Sequence, residues 1–356
     1  MAKKKRLIDF EPGLLVGVDE NGLGARLGPL VVTGVRARVS EAGLARLQKG
    51  LGKRIRADLD DSKVLVSNKD YRLGEAWARA LVERTTGVRP SAPTELFESL
   101  SLEAQTARDG NCPPSALKQC SFSEREAFVS DDELLARIQG HLETLASQGI
   151  SLDGVRTYRV CTGELNRLRK LGINRFSADL HGMEKLVLGF LPQDGEKVPF
   201  TATCGKVGGM AQYSRFFGPL GGRLHTALCE TAAESAYSFP GLGVISFLRD
   251  ADASDPLVMM ASLVGKYVRE LLMGRIARFY LAGDSADLPS GYHDPVTSIF
   301  VDQTLPVRRS LAIVDACFER DRELKEAKDE VSAALKSKKK KAAVPAPSSG
   351  QESMFE

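Results

Sequence analysis

Two acids stand side by side in Leu14–Val35, LLVGVDENGLGARLGPLVVTGV, where Asp19 and Glu20 end an apolar run. A charge in that position is costly unless something pairs with it, and a bound divalent cation is one such partner. A third acid, Asp252, follows another apolar run, Gly243–Leu248, far along the chain. Carboxylates gathered at strand ends repel one another unless they are protonated or hold cations. Magnesium favours such oxygen donors and keeps positions open for water and substrate phosphates. Two such ions activate a water and stabilise the leaving oxygen in phosphodiester hydrolysis. The bland alternative is that each acid caps a turn or helix, a role Asp255 takes before Pro256.

The elements that must position these acids follow from patterning. Leu14–Asp19 and Leu30–Val39 read as strands, joined by a turn with Gly22, Gly24 and Gly28. So short a turn makes them antiparallel. Phe200–Cys204 reads as a short buried strand and Val155–Cys161 alternates like one. Apolar residues recur at helical spacing after Pro256, from Leu257 to Leu272, with Lys266, Arg269 and Glu270 off that stripe. Helices are also expected from Ser67 to about Val82, over Asp132–Ser147, over Arg175–Leu191 and around Leu224–Tyr237. Strands alternating with helices, the first two antiparallel, predict an α/β fold with a mixed sheet flanked by helices.

Residues from Gly87 to about Asp131 break the pattern and read as an irregular insertion. A metal site from Cys112 and Cys120 lacks two further ligands at useful spacing. A charged helix is expected over residues 307–335 and a disordered tail over 336–356, leaving residues 1–306 as the main domain. The basic run Lys3–Arg6 reads as a solvated terminus.

Composition narrows the function classes. The 43% hydrophobic and 27% charged content of the 356 residues suits a globular protein. No apolar run has the length of a membrane span, and MAKKKRLIDF lacks the apolar core of a secretory signal. Six scattered cysteines without a CxxC pair suit reduced thiols, hence a cytoplasmic protein without a membrane partner, expected as a monomer. A net charge of +3 permits a polyanion partner without requiring one. The glycine turn is not a dinucleotide fingerprint: it is one residue too long, a strand follows it, and two acids precede it where phosphate would bind. No phosphate-binding P-loop occurs, and His141, His181, His225 and His293 fall in no metal or catalytic spacing.

Val16-Gly17-Val18-Asp19-Glu20-Asn21-Gly22-Leu23-Gly24 and the residues through Val32 resemble the signature GVDEAGRGPLAGPVV of the type 2 ribonucleases H, the ribonuclease HII family. Asp61-Ser62-Lys63 is similar to that family's DSK motif, and Glu164–Val187 loosely resembles the segment after its middle strand. Asp250-Ala251-Asp252 through Glu270 resembles its K-x-D…SAASILAKVTRD segment, and Ser290-Gly291-Tyr292 its GY element. The resemblance runs in order from about Val16 to Tyr292, with the insertion unmatched.

It implies a ribonuclease H-like fold and an endonuclease dependent on Mg2+ or Mn2+. The substrate would be the RNA strand of RNA–DNA hybrids, or ribonucleotides embedded in DNA. Asp19, Glu20 and Asp252 would be catalytic metal ligands. Gly22 and Gly24 would present backbone groups to the 2′-hydroxyl. Ser62, Lys63, Lys266 and Arg269 would contact substrate, the cations through phosphates, and Tyr292 would meet a sugar. Two departures stand out. Leu23 replaces the arginine of GRG, with Arg26 as a candidate substitute, and Cys204 falls where the third acid is expected, a poor magnesium ligand. Asp179 and Glu234 are candidate replacements if the fold brings them in. The competing expectation is a catalytically impaired protein of the same fold that binds nucleic acid without efficient cleavage.

Overall fold

The structure, a computed structural model, describes residues 10–321 except 62–64, 66–69, 105–111, 125, 193–195, 209 and 282–287. Strand β1 (Gly13–Asn21) and strand β2 (Leu30–Val39) form the expected antiparallel pair, with Asp19 opposite Thr33. Helices α1 (Glu41–Lys49), α2 (Lys53–Asp58) and α3 (Arg72–Thr86) follow. Two short helices, α4 (Pro93–Leu100) and α5 (Pro114–Ser121), lie in the segment expected to be irregular; each starts on a proline, which suits a first helical turn. Helix α6 (Asp132–Ser147), capped by the Asp131 side chain, leads to β3 (Ile150–Val160), which pairs antiparallel with β2.

Helices α7 (Thr162–Lys170) and α8 (Arg175–Gly189) return the chain to β4 (Phe200–Gly205), parallel to β1. Strands β5 (Thr226–Glu230), β6 (Glu234–Phe239) and β7 (Gly243–Leu248) complete a seven-stranded sheet of order β3-β2-β1-β4-β7-β6-β5. This is the mixed α/β sheet flanked by helices expected from the sequence. β1, β4 and β7 are mutually parallel, so their C-terminal ends share one edge. In open α/β sheets that edge is where ligands bind. A short turn of helix, α9 (Ala251–Ser254), leaves β7 there, and the long helix α10 (Pro256–Tyr280) starts with Asp255 as its cap.

Two cores cover the two faces. On one, α10 and α3 pack on Leu15, Val31 and Val35; on the other, α8 packs on Leu14, Val16 and Val18. Alternation along β1 thus sends odd-numbered side chains toward α10 and even-numbered ones toward α8. α10 sits very close to β1: a Cβ at Gly17 would collide with the backbone of Leu257.

Three expectations are corrected. Residues 224–237 form the β5–β6 hairpin, not a helix, because Ala236, Tyr237 and Phe239 pack into the sheet core and Thr231 ties the turn by accepting the Glu234 amide at 3.0 Å. The helix expected from Ser67 begins at Arg72, whose amide donates to Asp70; Ser67 lies outside the described residues. The chain beyond Arg308 is not a long helix in its described part. Helix α11 (Pro295–Ser310) ends two residues later, and Ala312 turns the backbone at φ 52°. Residues 311–320 then run back with a single 3-10 turn at Asp315–Cys317, and Phe318 packs with Leu27, Met273 and Phe300. The rest of that expected helix and the expected tail lie outside the described residues. The six cysteines form no disulfide. Cys120, Cys161 and Cys317 border one small cavity between α5, the end of β3 and this last segment.

Candidate active site

Asp19 is the penultimate carboxylate-bearing residue at the end of β1 and is only 8% exposed. Being odd-numbered, it faces α10, and the Ser262 hydroxyl of that helix hydrogen-bonds to it. Asn21 anchors the same contact by donating to the Ser262 carbonyl at 3.3 Å. Burial holds the Asp19 carboxyl well above the usual carboxylate range; the charge of Glu20 and then that of Asp252 add to this, and the Ser262 bond opposes it. The three acids named from the sequence therefore share one electrostatic neighbourhood, although Asp252 lies 233 residues beyond Asp19 (252 − 19).

The register of β1 on β4 pairs Val18 with Cys204, so Gly205 comes alongside Asp19. A Cβ placed on Gly205 would sit 2.7 Å from Asp19 Oδ1 and 3.5 Å from Glu20 Oε2. The two carboxylates thus lean over one point that a glycine leaves open. Cys204 itself turns the other way, fully buried in the core under α8. Burial raises its thiol pKa far above the ordinary value, with Asp179, Glu184, Asp19 and Glu20 adding negative potential. It stays a neutral thiol.

Of the two candidate replacement acids, the fold brings in one. Asp179 on α8 has no exposed surface, and neither carboxylate oxygen has a hydrogen-bond partner. Burial, then the charge of Asp19, raises its pKa well above the ordinary value. It approaches from the face opposite to Asp19, behind Cys204. Glu234 belongs elsewhere: on β6 it accepts from the Ser246 hydroxyl at 2.8 Å.

Among the described residues, no three His, Cys, Asp or Glu side chains already form a metal cage. Magnesium does not require one; it usually binds one or two carboxylates and fills its remaining positions with water and substrate oxygens. The Asp19–Glu20 cradle over Gly205, with Asp252 nearby, fits such an ion.

Beyond the acids, the glycine turn is heavily braced. Gly22 and Gly28 have φ of 86° and 78°, which glycine adopts without strain. The amides of Arg26 and Leu27 both donate to the Gly291 carbonyl at 2.9 Å, so the Ser290–Tyr292 loop lies against the turn. Arg269, expected at a phosphate, is corrected to a buried brace. It is 2% exposed, donates to the Ser290 carbonyl at 3.0 Å, pairs with Glu270 at 3.2 Å and stacks 4.4 Å from the Tyr292 ring centre. Tyr292 keeps its other face in solvent, 42% exposed. Gly24 is exposed, and Lys266 is half-buried on α10. Arg26 does not take the place of the missing turn arginine at the exposed tip; it pairs with Glu319 at 2.7 Å. Ser62 and Lys63 lie outside the described residues.

The sequence reading missed Arg320. Its buried guanidinium donates to the carbonyls of Gly22 at 2.6 Å, Leu23 at 3.1 Å and Gly28 at 2.8 and 3.0 Å. Nothing in its charged surroundings, Phe318-Glu319-Arg320-Asp321-Arg322, marks it in the sequence. Two of the histidines brace the fold: His141 pairs with Asp58 at 2.9 Å and His181 bonds to the Phe216 carbonyl at 3.0 Å.

No protein-family model and no curated protein matches this sequence. Among solved structures, the chain is similar to one in the PCNA:RNase HII complex from Archaeoglobus fulgidus, with 17% identity over 88% of this chain and 99% of that one, at a TM-score of 0.39. It is similar to ribonuclease H2 from Pyrococcus horikoshii, at 15% identity over 86% of this chain and 92% of that one, with a TM-score of 0.39. It is also similar to Bst-RNase HIII, a structure in complex with Mn2+, at 11% identity over 87% of this chain and 66% of that one, with a TM-score of 0.37.

Proposed function

We propose that the protein is a divalent-metal-dependent endonuclease of ribonuclease H type, cutting the RNA strand of RNA–DNA hybrids or DNA at an embedded ribonucleotide. The observation that carries this reading is the cradle in which Asp19 Oδ1 and Glu20 Oε2 approach one point above side-chain-free Gly205. Asp19, Glu20 and Asp252 would hold Mg2+ or Mn2+. The bound ion supplies an activated water and stabilises the leaving oxygen. Ser262 orients the Asp19 carboxyl. The Gly22–Gly24 turn faces the ribose through its backbone, and Lys266 meets a phosphate at the rim, a contact that fades with salt.

The test is a DNA duplex with one ribonucleotide, incubated in Mg2+ and separately in Mn2+. Wild type cleaves at the ribonucleotide, and Asp19→Asn lowers the rate by about a thousandfold or more, the scale of removing a principal catalytic group. Salt-sensitive binding without cleavage in either metal overturns the proposal. That outcome favours the second reading, a nucleic-acid-binding relative without efficient catalysis, which is supported by β4 contributing Cys204 and Gly205 but no carboxylate to the strand end.

A further inference from the structure

Among the described residues, one buried guanidinium has four hydrogen bonds to main-chain carbonyls and none to a carboxylate. Arg320 donates to Gly22, Leu23 and, twice, Gly28. Its neighbours in charge are Arg175 and Arg269, which with burial push its pKa down to about 9. It remains a cation at neutral pH. The backbone holds it in place: the Arg320 amide donates to the Arg26 carbonyl at 3.0 Å, and Leu27 and Glu319 form an antiparallel bridge.

The consequence for the turn follows from peptide geometry. In a trans peptide, C=O and N–H point in opposite directions across the plane. The Gly22 and Leu23 carbonyls point inward to Arg320. The N–H groups of Leu23 and Gly24, in the same two peptide planes, therefore point outward. Gly24 is the exposed tip, and a Cβ there would meet nothing within 4 Å. Two adjacent outward donors above a buried positive charge suit a ligand oxygen.

We propose that Arg320 is a positioning residue that sets these two donors toward the substrate sugar, so that the segment after α11 is part of the recognition site. This rests on the ribonuclease reading above for the identity of the ligand, but not for the clamp. The charge reaches the turn from beneath, and the space above Gly24 stays open.

The experiment compares wild type with Arg320→Lys, which keeps the charge but cannot span three carbonyls with a planar fork, and Arg320→Ala. Hydrogen–deuterium exchange over residues 22–28 reads the clamp, and Tm reads folding. Fluorescence anisotropy in Ca2+ reads the affinity ratio between a duplex with one ribonucleotide and the all-DNA duplex. Arg320→Lys is expected to fold, with faster exchange in the turn and a loss of about tenfold in the affinity ratio, or 1.4 kcal/mol. Binding to the all-DNA duplex is expected to hold. A folded Arg320→Lys with wild-type exchange and an unchanged ratio overturns the proposal. If wild type shows no preference for the ribonucleotide while the variant still exchanges faster in the turn, the clamp stands and the ribonuclease reading fails. Should Arg320→Ala unfold, the lysine variant alone decides.

Discussion

Asp19 and Asp179 approach the same strand end from opposite faces of the sheet, and their surroundings differ. Asp19 faces α10, where the Ser262 hydroxyl meets it and Gly205 leaves an opening shared with Glu20. Asp179 faces the core under α8, with both oxygens unpartnered. The first face is arranged around a carboxylate that a cation can reach. The second encloses one. An unpaired buried charge is expensive, so the second face favours protonation of Asp179, whereas the first is the one where the proposed ion would bind. What separates the two acids is access and a hydrogen-bonding partner, not acidity alone.

Four substitutions probe this contrast, starting with Asp19→Asn, whose loss of cleavage is the largest effect expected. Next comes Cys204→Asp. Cys204 faces the α8 core, so an aspartate there adds a buried carboxyl beside Asp179 and is expected to destabilise the protein by about 3–5 kcal/mol. Thermal denaturation reads this. A stable Cys204→Asp protein with gained cleavage would break the assignment of faces.

Glu184 lies beneath the same core, 1% exposed, accepting the amides of Gly218 at 3.0 Å and Leu220 at 2.7 Å. Burial pushes its pKa up to about 7, from an ordinary 4.5, against those two bonds. A carboxyl whose folded pKa is raised contributes its stability below its unfolded pKa and loses it as pH rises through the folded one. Between pH 4.5 and 7, wild type should thus lose stability that Glu184→Gln retains, by up to about 3 kcal/mol. Tm against pH for the two proteins checks this; parallel curves would mean that Glu184 stays ionised.

The smallest effect is expected from Asp179→Asn. Asparagine removes the cost of holding a proton on a buried carboxyl but leaves a buried amide, so the net gain at neutral pH is about 1 kcal/mol, vanishing at low pH where the unfolded chain's carboxyl is protonated as well. A gain of that size with cleavage intact sharpens the contrast with Asp19. A loss of both stability and cleavage would move Asp179 into the metal site.

Much of the site's skeleton was legible in the sequence because its signals are local. The run into Asp19-Glu20, the glycine turn, and the Asp255-Pro256 start of α10 are each set by neighbours a few residues away. The partners of those elements were not legible. Alignment put Cys204 at the third acid position, but the register of β1 on β4, which no local pattern encodes, turns Cys204 inward and sets Gly205 beside Asp19. Arg269 is expected at a phosphate from the resemblance of its segment to the ribonuclease HII family, and its place off the apolar stripe of α10 does not argue against that; its burial comes from the Ser290–Tyr292 loop folding over it. The alanine-rich 224–237 segment read as a helix because composition favours one there, whereas pairing with β7 decides for strands.

The bond from Arg320 to Gly22 joins residues 298 positions apart. On a ribosome adding about 5–20 residues per second, the turn emerges roughly 15–60 s before the arginine that latches it. A nascent chain would thus carry its acids and its turn with the latch still missing, and the turn would be braced from beneath only when residue 320 docks.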